Sequence, residues 1–458
     1  MLKKTMFFAL IVLLLAVSSH VWAAGKADLK NMDITIGNWY ENYNTEKPTP
    51  NMSNTNVARD TFAWRTKLQK DNNFKMREEM IAGWGGMRGE AMTSIMSGSP
   101  SAQVFVLEPG WALQLMGQDL IYPITDNKLI DFRNPQPIDK NRLPVPWNTA
   151  TLDAFTFNGK GYAISVGVNV NNAQVIFFNK RLFREAGLSA DLPYDLQKNG
   201  RWTWDEFLKV CKQLTRDINN DGIVDTYALP RDLSTDMLDA FVSSNGAQYI
   251  ARERSGRFVN AAGRPEFLEA LQYTIRLQTE GVLKPKPEDA NWDWYKAEFA
   301  DGKVAMRVDE SYVWGELQNM KDDWGVVLPP KGPRSSDYRV FTRENVMVIP
   351  ATYTPEMVEK ILYAMQLWFT PVSNDAENWK ASYANTFRDN RAVNETLAMI
   401  RETRRHLLKN FNMIGLGNKR GEGFAWEMWY FDGEPAQLVE SVRPAWQVVI
   451  DDANEVFK

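Results

Sequence analysis

Asp33-Ile34-Thr35-Ile36-Gly37-Asn38-Trp39-Tyr40 sets the reading of this chain: a short β-branched run, stopped by glycine, that hands over to two aromatic rings beside an amide. The run is predicted to be the first strand. Outward from it, Asn56 to Gln69 carries Val57, Phe62, Trp64 and Leu68 among polar residues and is predicted as a helix. A second helix spans Arg88 to Ser97 and ends at Gly98-Ser99-Pro100. Gln103 to Leu107 is a buried strand, and Trp111 to Gly117 opens the next helix. The opening thus reads β-α-α-β-α, the alternation of an open, largely parallel sheet covered by helices on both faces.

Further along, Phe157 to Ile164 is strand-like with a turn at its centre, and Ala173 to Phe178 is a second strand. The polar stretch Gly167-Val168-Asn169-Val170-Asn171-Asn172 between them is taken as a crossing between lobes. Trp204 to Leu214 is a helix capped by Thr203, with Glu206 at the capping-box position. Pro265 to Glu280 is another, closed by Gly281. Helices over Pro355–Phe369, Ala392–Leu408 and Gln437–Phe457 make the last third mostly helical. There is no internal repeat.

At 458 residues and 44% hydrophobic, the chain can build two cores. Residues 1–23 are expected to be a signal peptide: Lys3 and Lys4, an apolar run from Met6 to Val17, and small residues at Val21 and Ala23. That run is shorter than a bilayer span, so a soluble periplasmic protein is expected. The single cysteine, Cys211, excludes an internal disulfide and a lipid-modified cysteine directly after the cleavage point. A net charge of −4 provides no attraction for nucleic acid. Of two histidines, His20 leaves with the leader, and His406, in the basic stretch Arg401 to Lys409, is read as a surface residue near a helix end. Catalytic triads and zinc sites lack the groups they need.

Tryptophan is abundant, 17 in all, often beside Asp, Glu, Asn or Gly, as in Asn291-Trp292-Asp293-Trp294 and Trp426-Glu427-Met428-Trp429. An aromatic face next to hydrogen-bonding groups suits a pyranose, although most tryptophans in any protein serve its core. Asp217-Ile218-Asn219-Asn220-Asp221-Gly222-Ile223-Val224-Asp225 places oxygens at positions one, three, five and nine, with glycine at six. That is the first part of a calcium loop whose ligands would be Asp217, Asn219, Asp221, the Ile223 carbonyl and Asp225. The closing acid is missing, Ala228 standing in its place, and a tight hydrogen-bonded turn is the competing reading.

Tyr162-Ala163-Ile164 through Phe177-Phe178-Asn179-Lys180-Arg181-Leu182-Phe183-Arg184-Glu185-Ala186-Gly187-Leu188, then Trp202-Thr203-Trp204-Asp205-Glu206-Phe207, resembles the central signature of the family 1 extracellular solute-binding proteins of bacterial ABC importers, the maltose-binding-protein-like group. Phe105–Ile124, Phe299–Met306, Trp324–Pro333 and Phe424–Phe457 resemble further segments of that family in the same order. The departures are Ala163 and Ser165 for the usual Gly and Pro, and Glu310 and Tyr312 for the Gly and Trp of "GSW".

The resemblance implies an α/β, two-lobe periplasmic-binding-protein fold with crossing hinge strands and mixed but largely parallel sheets flanked by helices. Lobe 1 is expected over 24–167 and 341–385, and lobe 2 over 168–340 and 386–458. It also implies a ligand, a sugar or oligosaccharide, in the inter-lobe cleft, delivered by a monomer to the membrane subunits of an ABC permease. Contacts are expected from Trp39, Tyr40, Glu108 and Trp111 on one lobe, Glu310, Tyr312 and Trp426 on the other, and Asn169 and Asn171 at the crossing. Trp292 is a rim candidate, and with Trp294 it could instead cover a helix start. Competing roles are a helix start for Glu108 and turn chemistry for the asparagines. No cofactor is required; a structural Ca2+ in the Asp217–Asp225 loop is one of the two readings of that segment. The alternatives are a polyamine or peptide ligand, or a secreted glycan hydrolase using Glu108 and Glu310 as acid and base.

Overall fold

The computed structural model describes residues 28–40, 56–231, 235–253, 255–291, 293–383, 386–417, 424–428 and 434–455. The expected signal peptide lies outside them. Among the described residues no helix is long and apolar enough to cross a membrane.

The first sheet grows from the opening stretch. Strand β1 (Met32–Asn38) is followed by helix α1 (Asn56–Asn72), strand β2 (Phe74–Met80), helix α2 (Trp84–Met96), strand β3 (Val104–Leu107) and helix α3 (Pro109–Met116). β1 lies between β2 and β3 and is parallel to both, with Ile34 opposite Met76 and Ile36 opposite Val104. A strand from late in the chain, Val346–Val348, completes the sheet antiparallel to β3.

β2 is absent from the sequence reading, which passed from one helix to the next. Four of its seven residues, Lys75, Arg77, Glu78 and Glu79, are charged, and only Phe74 and Met76 are buried. As the edge strand it buries one row of side chains and shows charge outward, so its apolar signal is weak. The central strands behave oppositely. In β3, Val104 joins one core with Ile34, Ile36 and Met76, while Phe105 and Leu107 join the other. A strand covered on both faces reads as a continuous apolar run. Gly37 is held tight there: a Cβ on it would sit 2.6 Å from Ile81 Cδ1 and 2.9 Å from Ala102 Cβ.

The second sheet has Gln174–Asn179 at its centre, between Met306–Glu310 and Trp324–Val327, and both pairings are antiparallel. Of these two larger sheets only the first has parallel pairs, and two short two-stranded pairings, Leu229–Pro230 with Leu283–Lys284 and Val340–Thr342 with His406–Leu408, are parallel as well. Two segments run side by side from one sheet to the other. Ile164 bridges Met347 in the first sheet, and Ala173, just before the central strand of the second, bridges Thr342. Between these points Asn172 exchanges hydrogen bonds with the backbone of Arg343, 2.8 Å from its side chain and 3.2 Å from its carbonyl. These are the crossing strands of a two-lobe fold.

Helices Trp204–Leu214 and Pro265–Thr279 form where expected, and Thr203 Oγ1 accepts the Glu206 N–H at 3.4 Å. The expected helix over Ala392–Leu408 does not. The chain makes a π turn over Ala392–Leu397, a single α turn to Ile400, a 3-10 turn over Thr403–Arg405, and then a strand, His406–Leu408, paired in parallel with Val340–Thr342. Ion pairs of Arg404 and Arg405 with Asp337 pin the strand beside its partner, so tertiary pairing overrides helical periodicity. His406 is accordingly half-buried in a strand rather than at a helix end, and burial lowers its pKa.

Candidate ligand cleft

The carboxyl ends of the three parallel strands of the first sheet each deliver a tryptophan. Trp39 follows β1, Trp84 begins the helix after β2, and Trp111 lies in the first turn after β3. Their rings touch: centroids are 5.4 Å apart for Trp39–Trp84, 5.3 Å for Trp39–Trp111 and 4.6 Å for Trp84–Trp111, and Tyr40 adds a fourth ring 5.5 Å from Trp39. Trp84 is 51% exposed and Tyr40 39%. In open α/β sheets this strand end is where ligands sit, and here it carries an aromatic platform in place of a hydrated loop. Sequence reasoning found Trp39, Tyr40 and Trp111 but missed Trp84, because without β2 nothing marked it as the residue beyond a strand. By contrast Trp202, Trp324, Trp368 and Trp446 are core.

The acidic candidates meet at the crossing. Glu108 caps α3, accepting the Gly110 N–H at 3.3 Å, so its helix-start role is realised. Its other oxygen lies 3.5 Å from Arg343 Nη1. Arg343 Nη2 lies 3.5 Å from Glu310, at the end of the strand Met306–Glu310, and Glu310 also accepts from Lys409 Nζ at 2.7 Å. Lys409 stands 3.7 Å from Asp239. With its amide oriented to suit its neighbours, Gln174 accepts from Lys409 Nζ at 2.9 Å. Burial raises the Glu108 pKa against the opposing pull of Arg343, the Gly110 N–H and Lys409. Two cations thus already serve the carboxylates expected to hold ligand.

Tyr312, two residues beyond Glu310, is 50% exposed, and burial of its hydroxyl together with Asp309, Glu310 and Asp236 pushes its pKa up to about 12. Asn169 spends its side chain on the Asn171 N–H at 2.9 Å, the turn chemistry expected of it. Asn171 Oδ1, Asn38 Nδ2 and Arg343 Nε are buried with no partner among the described residues. Trp294 is buried at a helix start, Trp292 lies outside the described residues, and so does the side chain of Trp426, whose backbone belongs to the short helix Trp426–Met428.

The two sides also touch directly. α3 packs on the helix Asn410–Met413 so closely that a Cβ on Gly110 would fall 2.6 Å from the Asn412 carbonyl. Beside it, the space lined by Arg343, Glu344, Lys409 and Met413 is only about 20 Å3, room for a water. At another point Arg252, from the hairpin Ile250–Asn260, donates to the carbonyls of Ala154 (2.6 Å), Asp153 (3.3 Å) and Thr156 (3.0 Å) and stacks 4.2 Å over Phe157. A cavity of about 1050 Å3 opens beside this clamp and contains none of the tryptophan platform. Its walls mix Arg252 and Arg257 with Asp153, Glu253, Asp451 and Glu455, so it offers no convergent chemistry.

The Asp217–Asp225 loop is exposed and closed by its own backbone. Asp217 accepts from the N–H groups of Asp221 (3.2 Å) and Gly222 (2.7 Å), Asn219 from Asp221 (2.9 Å), Asp221 from Ile223 (2.8 Å), and Asp225 from Ile218 (2.7 Å). Among the described residues no three His, Cys, Asp or Glu side chains stand close enough together to hold a metal ion. The side-chain oxygens of Asp217, Asn219, Asp221 and Asp225 face amides of their own turn, and a Ca2+ would require the loop to tighten.

Residues 63–367 match the model of the bacterial extracellular solute-binding protein family. No curated protein matches the chain by sequence. Solved structures that resemble it include the cyclic alpha-maltosyl-1,6-maltose binding protein from Arthrobacter globiformis, 15% identical, covering 92% of this chain and 100% of that one with a TM-score of 0.62. An ABC substrate-binding protein of Listeria monocytogenes in complex with cycloalternan is 18% identical over 93% and 100% of the two chains, TM-score 0.57. UgpB from Mycobacterium tuberculosis in complex with glycerophosphocholine is 14% identical over 92% and 98%, TM-score 0.59. Those likenesses show the same two-lobe fold, and the family match, spanning well over half of the residues, shows that this chain belongs to the bacterial extracellular solute-binding proteins.

Proposed function

We propose that this protein binds a carbohydrate between its lobes, performs no chemistry on it, and presents it to the membrane subunits of an ABC importer. The supporting observation is the continuous platform of Trp39, Trp84, Trp111 and Tyr40 beyond the first sheet, set beside carboxylates that already have cations. Ring faces stack on the apolar face of a pyranose, and neighbouring polar groups orient its hydroxyls. A polyamine would want carboxylates without counterions, and Arg343 and Lys409 occupy Glu108 and Glu310. A hydrolase would need those two acids to face each other across a glycosidic bond; a guanidinium stands between them instead.

In this reading the chain is exported by its leader, is free of a lipid anchor, works as a monomer, and divides into lobes over 24–167 with 341–385 and over 168–340 with 386–458. Ligand would enter from the platform side, since the hinge side is packed shut. Closure over ligand would expel water from the rings, and the closed form would be what the permease reads.

The test is isothermal titration of the mature protein with mono- and oligosaccharides, with spermidine and a peptide mixture as controls and the sugars recovered afterwards. Stoichiometric binding of an intact sugar supports the reading. Binding confined to the controls, or recovery of cleaved sugar, overturns it.

A further inference from the structure

A second cavity, of about 430 Å3, lies on a different part of the molecule, where the chain leaves the helix Pro355–Phe369 and runs down past Trp379. Two arginines line it, each laid on an indole: Arg65 of α1 is 4.0 Å over Trp368, and Arg401 is 4.6 Å over Trp379. Neither makes a close ion pair, although Glu377 attracts Arg401 from beyond ion-pair distance. Arg65 donates to the Trp368 carbonyl at 3.3 Å and has Glu78 only at 3.9 Å. Arg401 is half-buried and, among the described residues, its guanidinium makes no hydrogen bond or ion pair. Of the described residues lining the cavity, Asp375 is the one acid, and it is exposed, with an oxygen turned to the Glu377 N–H. The remaining walls include Phe369, Pro144 and Pro371 together with uncharged polar residues such as Thr370 and Asn378.

A half-buried guanidinium gives up hydration, and the loss is recovered when a planar or tetrahedral anion accepts from its fork. Stacking on tryptophan fixes each fork in place; the Trp368 carbonyl takes Arg65 Nε and leaves its Nη groups to a ligand. We propose that this cavity is a binding site for a small organic anion, a carboxylate or phosphate monoester, whose charged group is shared by Arg65 and Arg401 and whose body rests on Trp379 and the prolines. Arg65 stands on α1, against the first sheet, whereas Arg401 follows the π turn that packs on the strand Trp324–Val327. An anion held by both would tie the two lobes together at a point remote from the tryptophan platform, and so bias their opening.

The experiment is a melting-temperature titration of the full mature protein with inorganic phosphate, citrate and benzoate against chloride at constant ionic strength, on the natural protein, Arg401→Gln and Arg401→Lys. The expected result is a saturable rise of about 3 °C with one of the anions, the scale of a single occupied site, lost in Arg401→Gln and weakened in Arg401→Lys, which keeps the charge but not the fork. A rise that never saturates, or one equal in all three proteins, is a general salt effect and overturns the site, as does no rise at all. If Arg401→Gln does not fold, Arg401→Lys and Arg65→Lys carry the same comparison.

Discussion

Glu108 and Glu310, from opposite sheets, share one guanidinium: Arg343 reaches the first with Nη1 and the second with Nη2, each at 3.5 Å. Arg343 sits on a crossing segment, so the contact ties both lobes to the hinge. Its removal leaves Glu108 with only the Gly110 N–H, while Glu310 keeps Lys409. Breaking a buried pair costs roughly 3–5 kcal/mol. Because one carboxylate remains paired and Arg343 is a quarter exposed, Arg343→Gln should cost about 2–3 kcal/mol in urea denaturation. Adding Glu108→Gln to that variant should recover part of it, and no recovery would show that the arginine acts through packing alone.

Glu344, the neighbour of Arg343 on the same crossing segment, predicts the pH dependence. Its carboxyl is buried and accepts the Asn169 N–H at 3.0 Å, and burial pushes its pKa up to about 8 from an ordinary 4.5. The folded protein therefore keeps a proton there that the unfolded chain releases above pH 4.5. Stability from this group is full below about pH 4.5 and is lost as pH rises toward 8, with a slope of up to about 1.4 kcal/mol per pH unit. Glu344→Gln, which keeps the acceptor and cannot ionise, should flatten the profile between pH 5 and 8. A parallel profile would remove Glu344 as its cause.

Trp84 is half exposed and packs edge-on against Trp39 and tilted against Trp111. Its loss should cost ligand stacking more than folding. Trp84→Ala is expected to weaken carbohydrate binding about tenfold, on the order of 1.4 kcal/mol, and to move the melting temperature by no more than 2–3 °C. A large melting shift with unchanged affinity would place Trp84 in the core energetics instead.

Arg252 clamps the hairpin Ile250–Asn260 onto Asp153–Phe157 through three carbonyls and a ring face. Charge-assisted hydrogen bonds contribute about 1.5–3 kcal/mol each, and these join elements on opposite sides of the crossing. Arg252→Ala should raise the radius of gyration of the ligand-free protein in small-angle scattering and speed ligand release, whereas an unchanged scattering curve would show that closure does not depend on this clamp.

The Asp217–Asp225 loop already has its turn fastened by five hydrogen bonds from four backbone N–H groups. Exchange of EDTA for millimolar CaCl2 should leave the melting temperature within about 2 °C. A larger rise, accompanied by one bound Ca2+ per chain, would show that the loop tightens around an ion as its oxygen spacing suggests.

Local patterns in the sequence determined much of this protein. The β-branched run Asp33–Gly37 favours a strand, Thr203 caps its helix with a neighbour three residues away, and the short apolar run ending at Leu107 fits a strand covered on both faces. The ordered segments from Phe105 to Phe457 carried the family, and Trp39, Tyr40 and Trp111 were legible because each follows a recognisable strand. Tertiary structure decided the rest. Strand β2 is an edge strand whose charges hide it, so Trp84 could not be placed until the sheet existed. His406–Leu408 became a strand because Val340–Thr342 lay beside it and Asp337 held Arg404 and Arg405, an interaction across distant sequence that outweighs helical periodicity. Glu108 and Glu310 could be singled out as acids but not paired, since the cation between them, Arg343, is brought there only when the crossing segments align. Periodicity and capping act over a few residues and can be read along a chain, whereas a shared counterion depends on which distant segments the fold makes neighbours.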